Sequence, residues 1–210
     1  MSLRVREILP ATRLDVAPFI MGIHYAKRWP SISKSWKLVV DGVIEGIVCY
    51  GRPSSSTLRT GVCGDEFQVN VWELNRLCLR SNVKNDASWL VARSLKLMGD
   101  SVIVSYADTS AGHIGYVYQA CGFTYTGLSA KRTDWHVSGM DGKHGQTIAD
   151  EFRGKSGRSL LMREKYGDLF SLVDRSRKHR YVKIIGCRKF KKAAMAALRY
   201  QEQPYPKEEQ

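Results

Sequence analysis

The segment with the highest density of reactive side chains runs from Ser105 to Phe123 and reads SYADTSAGHIGYVYQACGF. Its start lies in an apolar run that predicts a central β-strand ending at Asp108. A carboxylate at the carboxyl end of such a strand can accept a proton from an attacking amine, or hold a metal or a water. Tyr116 and Tyr118 are candidate acids for a leaving group, because a phenol has an ordinary pKa of about 10. The alternative is structural: Asp108 caps the next turn and the tyrosines fill the core.

Two other positions carry groups that do similar chemistry. His24 and Tyr25 are adjacent, and we predict them near the C-terminal end of a helix, where packing and a contact with the helix dipole are the alternative to chemistry. Arg76 lies in a predicted strand, with Glu73 on the opposite face. A guanidinium in the middle of a sheet needs an anion, and the candidates are a phosphate, a carboxylate or Asp108 itself.

Metal and nucleotide motifs with local spacing are absent from the sequence. The five histidines form neither H-x-x-H nor H-E-x-x-H, and the five cysteines form no C-x-x-C pair. There is no Walker or dinucleotide glycine pattern. The odd number of cysteines also argues against a disulfide framework and favours a reducing cytoplasm. A metal site assembled across the fold stays open.

The charge balance predicts a polyanionic partner. The chain has 33 Lys and Arg against 20 Asp and Glu, a formal net charge of +13. Most of the excess lies in residues 151–200, and the stretch 175–199 has no acidic residue. A solvated surface is the alternative, but ordinary surfaces mix both signs, so we favour binding to a phosphate backbone. The candidate nucleic-acid-binding residues are Arg175, Arg177, Lys178, Arg180, Lys183, Arg188, Lys189, Lys191 and Lys192.

Hydrophobic periodicity and turn residues predict the elements that must position these groups. A strand is followed by two short helices, a hairpin with Asp41-Gly42 at its turn, a strand, a helix, the strand ending at Asp108, a short helix and two more strands. We expect Ser88 to cap the helix before that strand. This order predicts an α+β fold with a mixed central sheet flanked by helices.

The chain also divides by composition. A glycine- and histidine-containing stretch from Gly139 indicates a linker. We therefore predict a catalytic domain over residues 1–138 and a small basic α/β extension over residues 139–210, packed on the core and facing nucleic acid. No window approaches the roughly 18 apolar residues of a membrane helix, and the N-terminus has no apolar signal core, so we expect no membrane association and no export.

Four segments resemble the Mom-type DNA modification proteins of phages, a group with the fold of the GNAT acyltransferases. They are HYAKRWP, ELNRLCL, KNDASWLVARSLKLM and SYADTSAGHIGYVYQACGFTYTG, and the likeness covers roughly residues 15–130. It implies addition of a carbamoylmethyl (methylcarbamoyl) group to N6 of adenine in double-stranded phage DNA, in the cytoplasm of the infected host cell, as protection from restriction enzymes. The family's essential positions fall on His24, Tyr25, Arg76, Asp108 and Tyr118. The resemblance also implies a candidate iron site with Tyr25 and Asp108 as ligands.

Such a reaction makes particular demands on the protein. Adenine N6 is a poor nucleophile, because its lone pair is delocalised into the ring, so it needs a base or an activated donor. The atom also lies inside the duplex, so the base must be extruded and stacked on aromatic side chains. Trp29, Tyr106 and Tyr118 are candidates for that platform.

The donor of the transferred group stays open. GNAT enzymes hold the coenzyme A pyrophosphate in a glycine-rich turn before a helix, but the corresponding turn here reads RSNVKNDAS and has no glycine. Asn85 and the helix start at Ser88 are the candidate anion-binding residues for acetyl-CoA or another donor. Two other functions are alternatives: an N-acyltransferase acting on an amine of tRNA, another modified base or a protein, and a non-catalytic nucleic-acid-binding protein. The oligomeric state is likewise open, with a homodimer among the alternatives.

Overall fold

The computed structural model describes residues 4–140, 143 and 145–207, with Gln146 described by its backbone alone. Nine strands are found in these residues. They are β1 (Arg6–Pro10), β2 (Lys34–Val40), β3 (Val43–Gly51), β4 (Val71–Leu79), β5 (Ser101–Asp108), β6 (Thr124–Leu128), β7 (Arg132–Val137), β8 (Phe170–Arg175) and β9 (Lys178–Ile185).

Helices connect the strands and cover the sheet. The α-helices are α1 (Arg13–Ala17), α2 (Ser56–Cys63), α3 (Asp86–Leu95), α4 (Tyr116–Ala120), α5 (Gly145–Ala149), α6 (Arg158–Tyr166) and α7 (Arg188–Ala196). A π-helical segment, Pro18–Ile23, continues from α1, and a 3₁₀ helix, Asp65–Asn70, precedes β4. None of the helices in the described part of the chain is long and apolar enough to cross a membrane.

The central sheet is mixed, as predicted. Its seven strands lie in the order β1-β2-β3-β4-β5-β9-β6. All neighbours are antiparallel except β4 and β5, which are parallel. The predicted hairpin between β2 and β3 is confirmed: Asp41 and Gly42 both have the positive φ that its turn requires. The α+β class with a mixed sheet flanked by helices is therefore confirmed.

The placement of β9 corrects the sequence analysis. We expected this strand in an appended extension, but it lies inside the central sheet, between β5 and β6. Its insertion pairs the free edge of β5, whose backbone groups would otherwise face solvent. The pairing of β7 with β8 in a separate two-stranded sheet also joins residues on either side of the predicted boundary after residue 138. Helices α5 and α6 pack on that small sheet.

Each face of the central sheet has its own core. On one face, here called the α3 face, Leu90 and Val91 of α3 pack in a cluster with Tyr50, Ile103 and other sheet residues. On the opposite face, the α7 face, two clusters form. One joins α2 and α7 to β4, β5 and β9, and the other joins α1 and the π-helical segment to β3 and β4. The central strands are thus buried on both sides, and polar groups on them lie in cavities or in the core.

Two local predictions need correction. Helix α2 lies between the hairpin and the next strand, where the predicted order has no helix, because Ser55 accepts a hydrogen bond from the Leu58 N–H and so caps it. Helix α3 begins earlier than predicted, with Asn85 rather than Ser88 at its N-cap position. Ser88 lies inside the helix and donates its hydroxyl to the Asn85 carbonyl at 3.1 Å.

Candidate functional site

A large cavity opens where β4 and β5 separate. The two strands pair only from Val71 with Val102 to Leu74 with Ser105, although both continue further. The cavity measures about 1120 Å³ and is lined by the diverging strand ends, the segment after the π-helical segment, α4, β9 and the start of α2. All five residues that the resemblance marks as essential line it: His24, Tyr25, Arg76, Asp108 and Tyr118. The fold therefore brings together groups that lie far apart in the sequence.

A β-bulge in β4 decides which groups face one another. Leu74 pairs with Tyr50 and Arg76 pairs with Cys49, so Asn75 is an extra residue without a counterpart. Because the bulge shifts the alternation of side chains by one residue, Arg76 lies on the same face of the sheet as Glu73. The prediction that Glu73 points away from Arg76 is wrong for this reason. Sequence reasoning missed Glu73 as a site residue, and no turn or glycine signal marks the bulge.

Arg76 is held by backbone carbonyls. Its guanidinium donates to the Arg28 carbonyl at 2.7 Å and to the Asn75 carbonyl at 2.6 Å. Its Nε is buried and has no hydrogen-bond partner among the described residues. Neither Glu73 nor Asp108 forms an ion pair with it in that part of the chain. A buried guanidinium with an unused donor can bind an anionic or carbonyl group of a ligand.

Asp108 is the most heavily engaged carboxylate of the site. Its Oδ2 is 2.9 Å from Lys178 Nζ, and its Oδ1 accepts hydrogen bonds from Ser110 and Ser176. Burial alone would raise the pKa of Asp108, but the hydrogen bonds from Lys178, Ser110 and Ser176 bring it down to about 2. The Ser110 backbone bond is the structural cap that we weighed as an alternative. Asp108 therefore stays anionic at neutral pH and is a weak proton acceptor.

His24 and Tyr25 follow the helical segment rather than lying within it, which corrects the sequence expectation. The helical backbone ends at Ile23, and His24 is extended, with its N–H donating to the Phe19 carbonyl. The His24 ring stacks on Tyr25 with 4.5 Å between centroids, and Tyr25 meets the edge of His113 at 6.2 Å. Tyr25 is 59% exposed, so it forms an aromatic rim at the cavity mouth.

The environment of His24 fixes its protonation. Burial, and then the charges of Arg76, His113 and Lys178, lower the pKa of His24 to about 4. The Ala26 N–H donates to His24 Nδ1 at 3.1 Å, so the proton of the neutral ring lies on Nε2. At neutral pH the imidazole is therefore an uncharged hydrogen-bond donor.

The tyrosines of the site differ in their surroundings. Tyr118 packs between Phe123 and Tyr181, and burial raises its pKa to about 12, against the hydrogen bond with Ser105. It is therefore a protonated phenol at neutral pH. Tyr106 also lines the cavity, from the α7 face, and burial raises its pKa as well. Tyr116, the other predicted acid, is 57% exposed at the cavity mouth.

Some predicted site residues lie elsewhere. Asn85 and Ser88 do not line the cavity, which reaches the preceding turn at Arg80, Ser81 and Asn82. Trp29 packs against the hydrophobic cluster that joins α1 to β3 and β4, and the Arg13 guanidinium lies 4.7 Å from its ring centroid. Trp29 is therefore not a free stacking platform. These positions were inferred from the turn sequence and residue type, neither of which shows where the cavity ends.

The nine predicted nucleic-acid-binding residues fall into two groups. Five make contacts within the protein, through an ion pair with Asp134 or Asp108 or hydrogen bonds to backbone or side-chain oxygens: Arg175, Arg177, Lys178, Arg180 and Lys183. The other four are exposed on α7, and their side chains make no hydrogen bond or ion pair with the rest of the described chain: Arg188, Lys189, Lys191 and Lys192. Arg175, Lys178 and Arg180 also line the cavity, together with Arg132.

The residues do not fit the iron site that the resemblance implied. Both oxygens of Asp108 are engaged by donors, one of them the ammonium group of Lys178 beside it. A cation placed on Asp108 would have to displace this positive charge. The described residues also contain no group of three or more His, Cys, Asp or Glu side chains that could hold a metal ion. Within the described residues, Tyr25 and Asp108 alone therefore do not make up a metal site.

Comparison with solved structures shows the fold. The chain is similar to a protein from Acinetobacter baylyi assigned as an acetyltransferase, with 10% identity, 88% of this chain and 95% of that chain covered, and a TM-score of 0.50. It is also similar to the ribosomal-protein-S18-alanine N-acetyltransferase from Escherichia coli, with 10% identity, 87% of this chain and 96% of that chain covered, and a TM-score of 0.49. A GNAT family acetyltransferase from Bacillus cereus is similar with 14% identity, 88% of this chain and 99% of that chain covered, and a TM-score of 0.44. The predicted GNAT-like fold is thus confirmed. No curated protein sequence matches the chain.

Comparison with protein families covers nearly the whole sequence. The model of the Mom protein family matches residues 3–207. The match includes the four segments on which the resemblance was based, and it extends through β9 and α7, beyond the stretch that those segments cover. The chain belongs to the Mom protein family.

Proposed function

We propose that this protein is a transferase that adds a carbamoylmethyl group to N6 of adenine in phage DNA and so protects the DNA from host restriction. The observation that carries the proposal is the convergence of His24, Tyr25, Arg76, Asp108 and Tyr118 on one cavity in a member of the Mom protein family. Under this proposal the protein acts on double-stranded DNA in the cytoplasm of the infected host cell.

The cavity mouth has the features that an extruded base requires. Tyr25 is exposed and already stacked on His24, so a flipped adenine can extend this stack. Arg132 and Arg175 line the same cavity and can bind the phosphates on either side of the base. These features support a platform at the His24–Tyr25 pair rather than at Trp29.

Inside the cavity, the ionisation states suggest separate roles. The neutral His24 donates from Nε2, and Arg76 has a free Nε–H, so both can bind a carbonyl or leaving group of an activated donor. Tyr118 is protonated and can give its proton to the leaving group. Asp108 holds Lys178 at the cavity wall rather than acting as a base.

Mass spectrometry of nucleosides tests the proposal. We expect plasmid DNA from cells that express the protein to contain carbamoylmethyladenine and to resist restriction enzymes. Tyr118→Phe and Asp108→Ala should abolish the product while DNA binding stays near the wild-type level. Unmodified adenine together with unchanged cutting would refute the proposal. Resistance to restriction enzymes without any modified adenine would instead favour a non-catalytic nucleic-acid-binding protein.

One observation favours a second candidate. The cavity extends along β4 to Arg80, Ser81 and Asn82, the turn before α3. An acyl-CoA could lie there, and the protein would then be an N-acyltransferase for another amine, such as one in tRNA, another modified base or a protein. Calorimetry with acetyl-CoA separates the two, because saturable binding would favour this candidate over the first.

A further inference from the structure

Two carboxyl groups line the cavity among the described residues, and their surroundings differ. Both oxygens of Asp108 accept hydrogen bonds, and one is paired with Lys178. Glu73 lines the same cavity, and no hydrogen bond or ion pair joins its side chain to the rest of the described chain. A partly buried carboxylate without a hydrogen-bond or ion-pair partner within the protein lowers the stability of the fold, so its presence points to a functional role.

The position of Glu73 follows from the backbone. It precedes the bulge in β4 and pairs with Val104 of β5, at the last stretch where the two strands are joined. The bulge turns Arg76 to the same face, so a carboxylate and a guanidinium flank the gap between the strands. Tyr118 lines the same cavity.

We propose that Glu73 is the general base that takes the proton from adenine N6. This inference rests on the proposed function. As N6 attacks the electrophilic carbon of an activated carbamoylmethyl donor, the N6–C bond forms and the bond from that carbon to the leaving group breaks with its electron pair. One N6 proton passes to the Glu73 carboxylate, and the leaving group takes a proton from Tyr118 or departs as an anion.

The charged and titratable groups around Glu73 suit this role. Arg76 of β4 and Lys178 of β9 are the cations that act on it, while Tyr106 of β5 and Tyr118 of α4 are phenols protonated at neutral pH. Burial raises the pKa of Glu73, and the two cations oppose the rise. A carboxylate with a pKa above its ordinary value accepts a proton more readily than Asp108 does.

Substitution at Glu73 tests the inference. We expect Glu73→Gln to lower the rate of carbamoylmethyladenine formation by at least about 100-fold, with duplex affinity in fluorescence anisotropy unchanged. Glu73→Asp should retain partial activity, because it keeps the carboxylate at a longer distance from N6. Glu7→Gln on β1 is the matched control, since Glu7 is exposed on another strand of the same sheet and lies far from the cavity.

The pH dependence gives a second readout that does not rely on a stable variant. In the wild-type protein the rate should rise with pH through an apparent pKa above that of an ordinary carboxyl group, because the base must be ionised. This limb should be absent in Glu73→Gln. Wild-type rates in Glu73→Gln, or an acid limb that persists in that variant, would overturn the inference. Absence of product in the wild type would instead overturn the proposed function.

Discussion

Residue environments, more than residue types, separate the roles in this cavity. Asp108 and Glu73 carry the same functional group, but the pKa of Asp108 is lowered by Lys178, Ser110 and Ser176, whereas burial raises that of Glu73. His24, which would ordinarily titrate near neutral pH, is kept uncharged by burial and nearby cations. The sequence shows these residue types but not the burial or the partners that set their charges. Pairs of groups driven apart in pKa are a frequent sign of acid–base chemistry.

The protonation of His24 can be measured directly. We expect ring ¹⁵N NMR to show a neutral imidazole with its proton on Nε2 at pH 7, and a titration near pH 4. Since the ordinary pKa is 6.5, the unfolded chain takes up this proton first as the pH falls. The stability that His24 contributes is therefore complete above about pH 6.5 and is lost as the pH falls toward 4. Titration near 6.5 in the folded protein would contradict this expectation.

The ion pair between Asp108 and Lys178 gives a stability prediction for an acidic group. We expect Asp108→Asn to lower the free energy of unfolding by about 1–3 kcal/mol at pH 7, because it removes a charge-assisted hydrogen bond at a largely buried site. The folded pKa of Asp108 is about 2 against an ordinary 3.8, so this difference should be full above pH 4 and shrink as the pH falls from 4 toward 2. Urea unfolding across this range measures it, and a pH-independent difference would show that the ion pair is not its source.

At the scale of elements, features set by neighbouring residues in the sequence were predictable. Features set by pairing between distant strands were not. The Asp41-Gly42 turn predicted the β2–β3 hairpin, and the apolar run that ends at Asp108 predicted β5. The bulge at Asn75 was not predictable, because it depends on the pairing of β4 with β3. The position of β9 was missed for the same reason: its sequence marks it as a strand but does not name its partners. These two long-range features decide the site, since one turns Arg76 toward Glu73 and the other supplies Lys178.

A contact between the small β7–β8 unit and the site gives an element-scale prediction. Arg28 uses its carbonyl to hold Arg76 at 2.7 Å, and its guanidinium pairs with Asp150 at 3.3 Å. Asp150 follows α5, which packs on β7. We expect Arg28→Gln and Asp150→Asn each to reduce base modification about tenfold by letting Arg76 shift. Because the ion pair is partly exposed, the free energy of unfolding should change by less than about 1 kcal/mol.

A double-mutant cycle distinguishes this coupling from two separate effects. If the ion pair acts through Arg76, the double variant should lose no more activity than either single variant. Asp168→Asn is the matched control, because Asp168 is an exposed acid in the same part of the chain. Additive losses in the double variant would show that Arg28 and Asp150 act independently.

On the scale of the whole molecule, the positive charge lies at two ends of the sheet. Asp108 pairs with Lys178 at the cavity end of β5 and β9, and Ser101 pairs with Ile185 at the other end, just before α7. These pairs are separated by seven residues of strand, or about 23 Å. Helix α7 starts at this far end and runs back toward the cavity, which Tyr200 after the helix lines. Because the exposed lysines lie in the first half of α7, we expect them to contact phosphates at some distance from the modified adenine.

This separation makes the role of α7 depend on DNA length. At about 3.4 Å per base pair, 23 Å sets an upper limit of about seven base pairs on the distance between the modified adenine and the α7 contact. We expect replacement of Lys189, Lys191 and Lys192 by Gln to weaken binding to a 30-base-pair duplex and to reduce the slope of log K against log salt by about one unit per lost contact. The difference between wild type and variant should shrink as the duplex is shortened below seven base pairs on each side of the adenine. Equal weakening on both lengths would mean that these lysines act through the general field of the protein, and unchanged binding on the long duplex would leave α7 as a solvated surface.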